Sequence, residues 1–229
     1  KEGREAPLRL FDLTSLQVEC NRKFAYSADE TLKIIQSLYE KKVATYPRVD
    51  TTYLSDDIYP KCPGILKGLR DYETFTAPLT GTALLKSKKV FDNSKVTDHH
   101  ALIVTENLPG KLETDEQAIY ELIAGRMLEA FSEKCVKDTA TVTAECAGVE
   151  FVAKGSIIKQ AGWRAVYVEE EKEETIIPGW QEGDTLALKA ASITEGKTKP
   201  KPLHTEATLL SAMETAGKEI EDDALRQAL

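Results

Sequence analysis

The chain has 229 residues, of which 41% are hydrophobic and 30% charged, with a net charge of −8. That length and balance suit one large or two modest globular domains and exclude an integral membrane helix bundle, since no uncharged apolar run approaches the roughly 18–20 residues a spanning helix needs. No signal peptide opens the sequence, and Cys20, Cys62, Cys135 and Cys146 show no Cys-x-x-Cys spacing, so a zinc site is not expected and the cysteines read as reduced thiols of a cytoplasmic protein.

Taken in chain order, residues 14–134 read as helical. Ser27-Ala28-Asp29-Glu30 is a capping-box signature opening a helix with Leu32, Ile35, Leu38 and Tyr39 on one face. A helix expected between Asp56 and Tyr72 is interrupted by Pro60 and by Pro63-Gly64. Residues 74–112 mix proline, glycine and lysine and predict loops with short elements, and the Asp98-His99-His100 triplet lies among them. Thr114 with Gln117 predicts the start of another helix, carrying Ile119, Leu122, Ile123, Met127 and Leu128 toward Phe131.

Beyond residue 134 the period changes. Thr139 to Glu145 alternates, and Gly148 to Ala153, Gly155 to Lys159, Trp163 to Val168 and Thr185 to Ala191 are short β-branched or apolar runs separated by glycines and charges, which together predict an antiparallel β region. Lys197 to Pro202 reads as a connector, and Thr205 to Ala216 as a helix ended by Gly217. Glu206 near that helix start has the position of a cap.

The acidic runs Asp56-Asp57, Glu113 to Glu116, Glu169 to Glu174 and Asp222-Asp223 fall in polar or helical contexts and read as solvated faces, not as a metal-binding cluster. The net charge of −8 opposes binding to a polyanion. A local groove lined by Arg48, Lys86, Lys88 and Lys89 is the candidate offset, with the acidic runs facing away from it, and affinity of this chain alone for a polyanion is expected to be weak.

Chemistry concentrates in Thr45-Tyr46-Pro47-Arg48-Val49-Asp50. Pro47 fixes its own φ and pushes Tyr46 toward extended geometry, where residues i and i+2 share a side, so Tyr46 and Arg48 are expected to face one target. A phenol with a pKa of about 10 is a poor nucleophile at neutral pH unless a positive charge favours its phenolate, and the arginine fork also binds phosphate oxygens in pairs.

The run Val43 to Ser55 closely resembles the active-site segment of type IA DNA topoisomerases, where Tyr-Pro-Arg precedes Thr-Asp-Ser and Tyr-Leu-Ser. Thr97-Asp98-His99-His100-Ala101-Leu102-Ile103 resembles that family's Asp-His-His-Ala-Ile segment, and His204-Thr205-Glu206-Ala207-Thr208-Leu209-Leu210 resembles its Phe-Thr-Glu-Ala-Thr-Leu-Leu segment. Leu10 to Gln17 is similar to the entry into the tyrosine-bearing domain, and the bacterial topoisomerase III branch fits best. Val49, Thr51 and Val104 depart from the threonine, serine and proline the family usually has there.

The resemblance implies an α+β fold in which a helical domain bearing the tyrosine, residues 14–134, is inserted into an antiparallel β hinge domain of a toroidal enzyme. That β domain would be built from residues 1–13 and 135–203, with 204–229 opening a following helical domain. It implies that Tyr46 is the nucleophile on single-stranded DNA, that Arg48 and His99 are catalytic through contact with phosphate, that His100 joins them at the DNA and supports the loop, and that magnesium is held by a domain outside this sequence. The chain is therefore expected to be a central fragment, inactive without the parent's remaining domains. Two other readings stay open: a non-catalytic strand-binding fragment with Tyr46 as packing, and a DHH-type metal phosphoesterase built on Asp98-His99-His100.

Overall fold

The computed structural model describes residues 1–69, 73–80, 84, 86–167, 176–187, 190 and 192–216. The order of elements is β1 (Glu2–Glu5), α1 (Leu13–Phe24), α2 (Ala28–Glu40), α3 (Cys62–Gly68), α4 (Glu73–Thr80), α5 (Thr114–Phe131), β2 (Cys135–Cys146), β3 (Val149–Gln160) and α6 (Glu206–Glu214). Helices and a three-stranded antiparallel sheet make this an α+β chain.

Local signals decide where the helices begin. Asp12 accepts from the Ser15 N–H at 2.8 Å to start α1, and Ser27 accepts from the Glu30 N–H at 3.2 Å to start α2, with the Glu30 carboxylate accepting in turn from the Ser27 N–H. Ala25 at φ 59° ends α1 in the left-handed region. Pro60 and Pro63 do not break an established helix: they sit in the first turns of a short 3₁₀ segment (Tyr59–Lys61) and of α3, where a missing N–H costs nothing.

The start of α5 falls one residue earlier than Thr114 and Gln117 suggest, with Glu113 as cap and Glu116 as the returning acid at 3.0 Å. Glu116 is buried, accepts from Ser37 at 2.7 Å and pairs with Lys41 of the α2 terminus, tying α2 to α5. The Lys41 ammonium, the Ser37 hydroxyl and the Glu113 N–H hold its carboxyl down at about 2. Because the folded value lies below the unfolded one, the contribution is complete above about pH 4.3 and is lost as pH falls toward 2. Glu116→Gln is expected to lower stability at neutral pH by about 1–2 kcal/mol, a half-exposed Lys41 limiting the loss. Urea midpoints of both proteins across that acid range should converge as pH drops.

α5 is buried over most of its length, and its Ile119, Leu122, Ile123, Met127 and Leu128 share one core cluster with Leu16, Ile35, Leu38, Leu54 and Leu66. Cys20, Cys62 and Cys135 are buried free thiols, and burial pushes Cys20 up to about 12 and Cys62 up to about 11. At the far end, α6 docks on the first two helices: the Glu206 carboxylate accepts from the Ala28 N–H at 2.7 Å, and Asn21 accepts from the Ala207 N–H at 3.2 Å. Glu206 thus caps α2, not its own helix.

The sheet has the order β1-β2-β3, with Glu2 opposite Asp138 and Cys146 opposite Val149. Ala147 (φ 52°) and Gly148 (φ 80°) make the two-residue turn between β2 and β3 whose positive φ values match strand twist. The two runs read as separate, Gly148 to Ala153 and Gly155 to Lys159, form one strand, because Gly155 pairs normally with Ala140.

Two expected strands are corrected. Trp163 does not open a strand but lies in a 3₁₀ turn, Gly162–Ala165, and Val168 lies outside the described residues. Gly162 turns the chain at φ 55°, with its Cα packed on the Lys134 and Glu133 carbonyls. Thr185 to Ala187 carry no strand, being exposed without a neighbouring strand to pair with among the described residues, and Leu188, Lys189 and Ala191 lie outside them. The helix end expected at Gly217 also lies outside them.

Gly162→Ala combines a disfavoured φ with a Cβ placed 2.5 Å from the Lys134 carbonyl oxygen. Backbone cannot retreat as a side-chain tip can. A loss of about 2–4 kcal/mol is expected from strain plus overpacking, read from the urea midpoint.

Candidate active site

Segment 101–105 is the hub that assembles the site. Its Ala101 N–H reaches the Tyr53 carbonyl at 2.8 Å, its Leu102 N–H the Phe11 carbonyl at 2.8 Å, and its Thr105 N–H the Val43 carbonyl at 3.1 Å. Thr45 closes the arrangement twice over, donating its N–H to the Ile103 carbonyl at 3.0 Å while its hydroxyl accepts from the Ile103 N–H at 3.1 Å. Lys42 at φ 62° turns the chain out of α2 and into this ladder. Residues far apart in sequence are therefore fixed to one short strand-like segment.

From Thr45 the chain runs directly into Tyr46. Pro47 and Val49 are buried while Tyr46 is half-buried and Arg48 and Asp50 are exposed, an alternation that carries Tyr46 and Arg48 outward together. The Val49 N–H bonds the Pro47 carbonyl at 3.1 Å, which makes a γ-turn centred on Arg48, and the Val49 carbonyl accepts from the Leu13 N–H at 3.1 Å. Val49 belongs to the hydrophobic core, so at this position an apolar side chain packs inward instead of leaving a polar contact unmade. Val104 is likewise fully buried and bridges Ala44.

The Tyr46 ring contacts two others. Tyr39, at the end of α2, meets it edge-on at 5.5 Å and 79°, and His99 lies against it at 4.5 Å and 42°. Its hydroxyl makes no hydrogen bond to a described residue, and the Arg48 guanidinium has no acid partner among them. His99 is exposed. His100 is half-buried and turns its Nδ1 to the Ala101 carbonyl at 2.8 Å, so Nδ1 carries the proton. Burial pulls its pKa below the ordinary histidine value despite the carboxylate of Asp57 nearby.

Of the lysines suggested as a groove, Lys86 is engaged with Asp56 at 2.6 Å, and Lys88 and Lys89 are exposed. Among the described residues no group of three or more His, Cys, Asp or Glu side chains is placed to hold a metal ion, so Asp98-His99-His100 gathers no further ligands. Tyr39 is the member that the sequence did not single out. Tyr39 read only as part of the apolar face of α2, and no local pattern tells that a helix end will fold back on a tyrosine in the next turn.

The DNA topoisomerase family matches residues 1–218. The chain belongs to that family. Its relatives include the DNA topoisomerase 3 of Bacillus licheniformis, 40% identical over 217 residues, and that of Bacillus subtilis, 38% identical over 217 residues. Each alignment spans 90% of this chain and 30% of the relative, so the chain corresponds to under a third of those topoisomerases. Among solved structures, full-length topoisomerase I from Thermotoga maritima superposes with a TM-score of 0.62 at 23% identity, over 95% of this chain and 36% of that one, a likeness of fold. Among the described residues no helix is long and apolar enough to cross a membrane.

Proposed function

We propose that this chain is the tyrosine-bearing part of a cytoplasmic type IA topoisomerase that breaks and reseals single-stranded DNA. The observation that carries the reading is the Tyr46 ring packed against both Tyr39 and His99, with Arg48 two residues on and unpaired with any acid among the described residues, in a member of this family. The Tyr46 oxygen attacks a backbone phosphorus, the bond to the 3′ oxygen breaks, and the phenol proton ends on the released 3′ hydroxyl. The 5′-phosphotyrosine keeps the ester energy, so religation needs no ATP. Arg48 stabilises charge on the phosphoryl oxygens, His99 holds a neighbouring phosphate, and His100 fixes the turn that presents His99. A Tyr46 hydroxyl without a partner among the described residues fits a nucleophile better than a packing residue.

The pairing of β1 with β2, strands separated by all of α1 to α5, supports a helical domain of residues 14–134 inserted into a β hinge of 1–13 and 135–203, with 204–229 beginning a further helical domain. Magnesium does not fit the described residues, which offer no ligand cluster, and no step here runs through it. The remaining domains of a full-length enzyme are its expected partners. Plasmid relaxation tests the reading: this chain alone should leave supercoiled DNA unchanged, while a DNA topoisomerase 3 carrying this segment in place of its own should relax it. Failure of that chimera, if folded, would overturn the assignment.

A further inference from the structure

Arg9 is a cation that the proposed strand cleavage does not use. It is exposed, its guanidinium lies over the Tyr53 ring at 5.0 Å, and among the described residues it has no carboxylate partner, in a chain with 38 acids to 30 bases. Against such a surplus of acids, an arginine without one has a position set by something other than charge pairing. Its backbone is pinned: the Arg9 carbonyl accepts from Arg126 Nη1 at 3.3 Å, and Arg126 is itself packed over Phe11 at 3.9 Å and paired with Glu129 at 3.0 Å.

Tyr53 is equally fixed, since its carbonyl takes the Ala101 N–H and its own N–H meets the Thr51 hydroxyl at 3.3 Å. Phe11, two residues past Arg9, bonds Leu102 of the same hub. Tyr53, over which the Arg9 guanidinium lies, is thus bonded to Ala101, two residues from His99. A guanidinium laid on a tyrosine face loses little freedom on binding and presents its outer edge for two parallel bonds to an anion.

We propose that Arg9, preorganised on Tyr53, is a phosphate subsite for the single strand flanking the phosphate that Tyr46 attacks. The inference rests on the strand-breaking reading, because only a strand seated at Tyr46 and His99 brings a neighbouring phosphodiester to Arg9. Its contribution is electrostatic and independent of base sequence.

Fluorescence titration of this chain with labelled oligo-dT over a salt series tests it, using wild type, Arg9→Ala, Arg9→Lys and Arg48→Ala. Arg9→Ala should weaken binding about 3–10-fold at low salt and reduce the slope of log affinity against log salt by about 0.7, the counterion share of one phosphate contact. Arg9→Lys should keep the slope while recovering part of the affinity. An unchanged slope in Arg9→Ala alongside a reduced one in Arg48→Ala overturns the Arg9 subsite and leaves the Tyr46 reading intact. Absence of wild-type binding, or indifference of both slopes, overturns strand binding at this face and the subsite with it. The exposed Arg9 side chain can be removed without unfolding, which circular dichroism of each variant checks.

Discussion

Tyr46→Phe, placed in a full-length topoisomerase carrying this segment, is expected to abolish covalent adduct formation and plasmid relaxation while leaving single-strand affinity nearly unchanged. The substitution removes one oxygen from a ring whose position is set elsewhere, by the T-shaped contact with Tyr39 at 5.5 Å, the tilted His99 ring at 4.5 Å and the Thr45–Ile103 ladder. Phenylalanine keeps both ring contacts, so the site should stay assembled. A lone hydroxyl adds little ground-state affinity beside charged phosphate contacts, and its loss should therefore appear in the cleavage step and not in binding. Denaturing gels for the adduct and filter binding for affinity separate the two. An adduct still formed by the phenylalanine variant would mean that another residue is the nucleophile.

Much of what frames this site is written in short-range signals. Ser27 and Glu30 announce α2 because capping involves residues three apart, and Pro47 announces an outward-facing pair because it acts on its immediate neighbours. The family motifs add His99 to Tyr46, which no periodicity could. What stayed hidden depends on residues meeting across the fold. Tyr39 joins the site only because Lys42 turns the chain at positive φ, and Val49, where the family usually has threonine, shows its packing role only once the core closes on its side chain. Trp163 was apolar enough for a strand, yet Gly162 had already turned the backbone against the Lys134 carbonyl. Thr185 to Ala187 had strand composition, but a strand also needs a partner, and composition says nothing of partners.

Arg48→Ala is expected to slow cleavage about 10²–10³-fold, equivalent to roughly 2.7–4 kcal/mol, the scale on which one preorganised transition-state donor acts. The γ-turn from Val49 to the Pro47 carbonyl fixes the backbone on both sides of Arg48, and no acid among the described residues competes for its guanidinium. The fork is therefore free for phosphoryl oxygens whose charge grows as the Tyr46 oxygen approaches. Affinity for the strand should fall far less than the rate, because a charge-matched contact that strengthens in the transition state affects the chemical step more than binding. Arg48→Lys is the discriminating variant: it restores the positive charge but not the two parallel bonds, and should recover only part of the lost rate. Single-turnover cleavage of an oligonucleotide by all three proteins makes the comparison. Full recovery with lysine would show that Arg48 acts as a simple charge, and an unchanged rate with alanine would remove it from the reaction altogether.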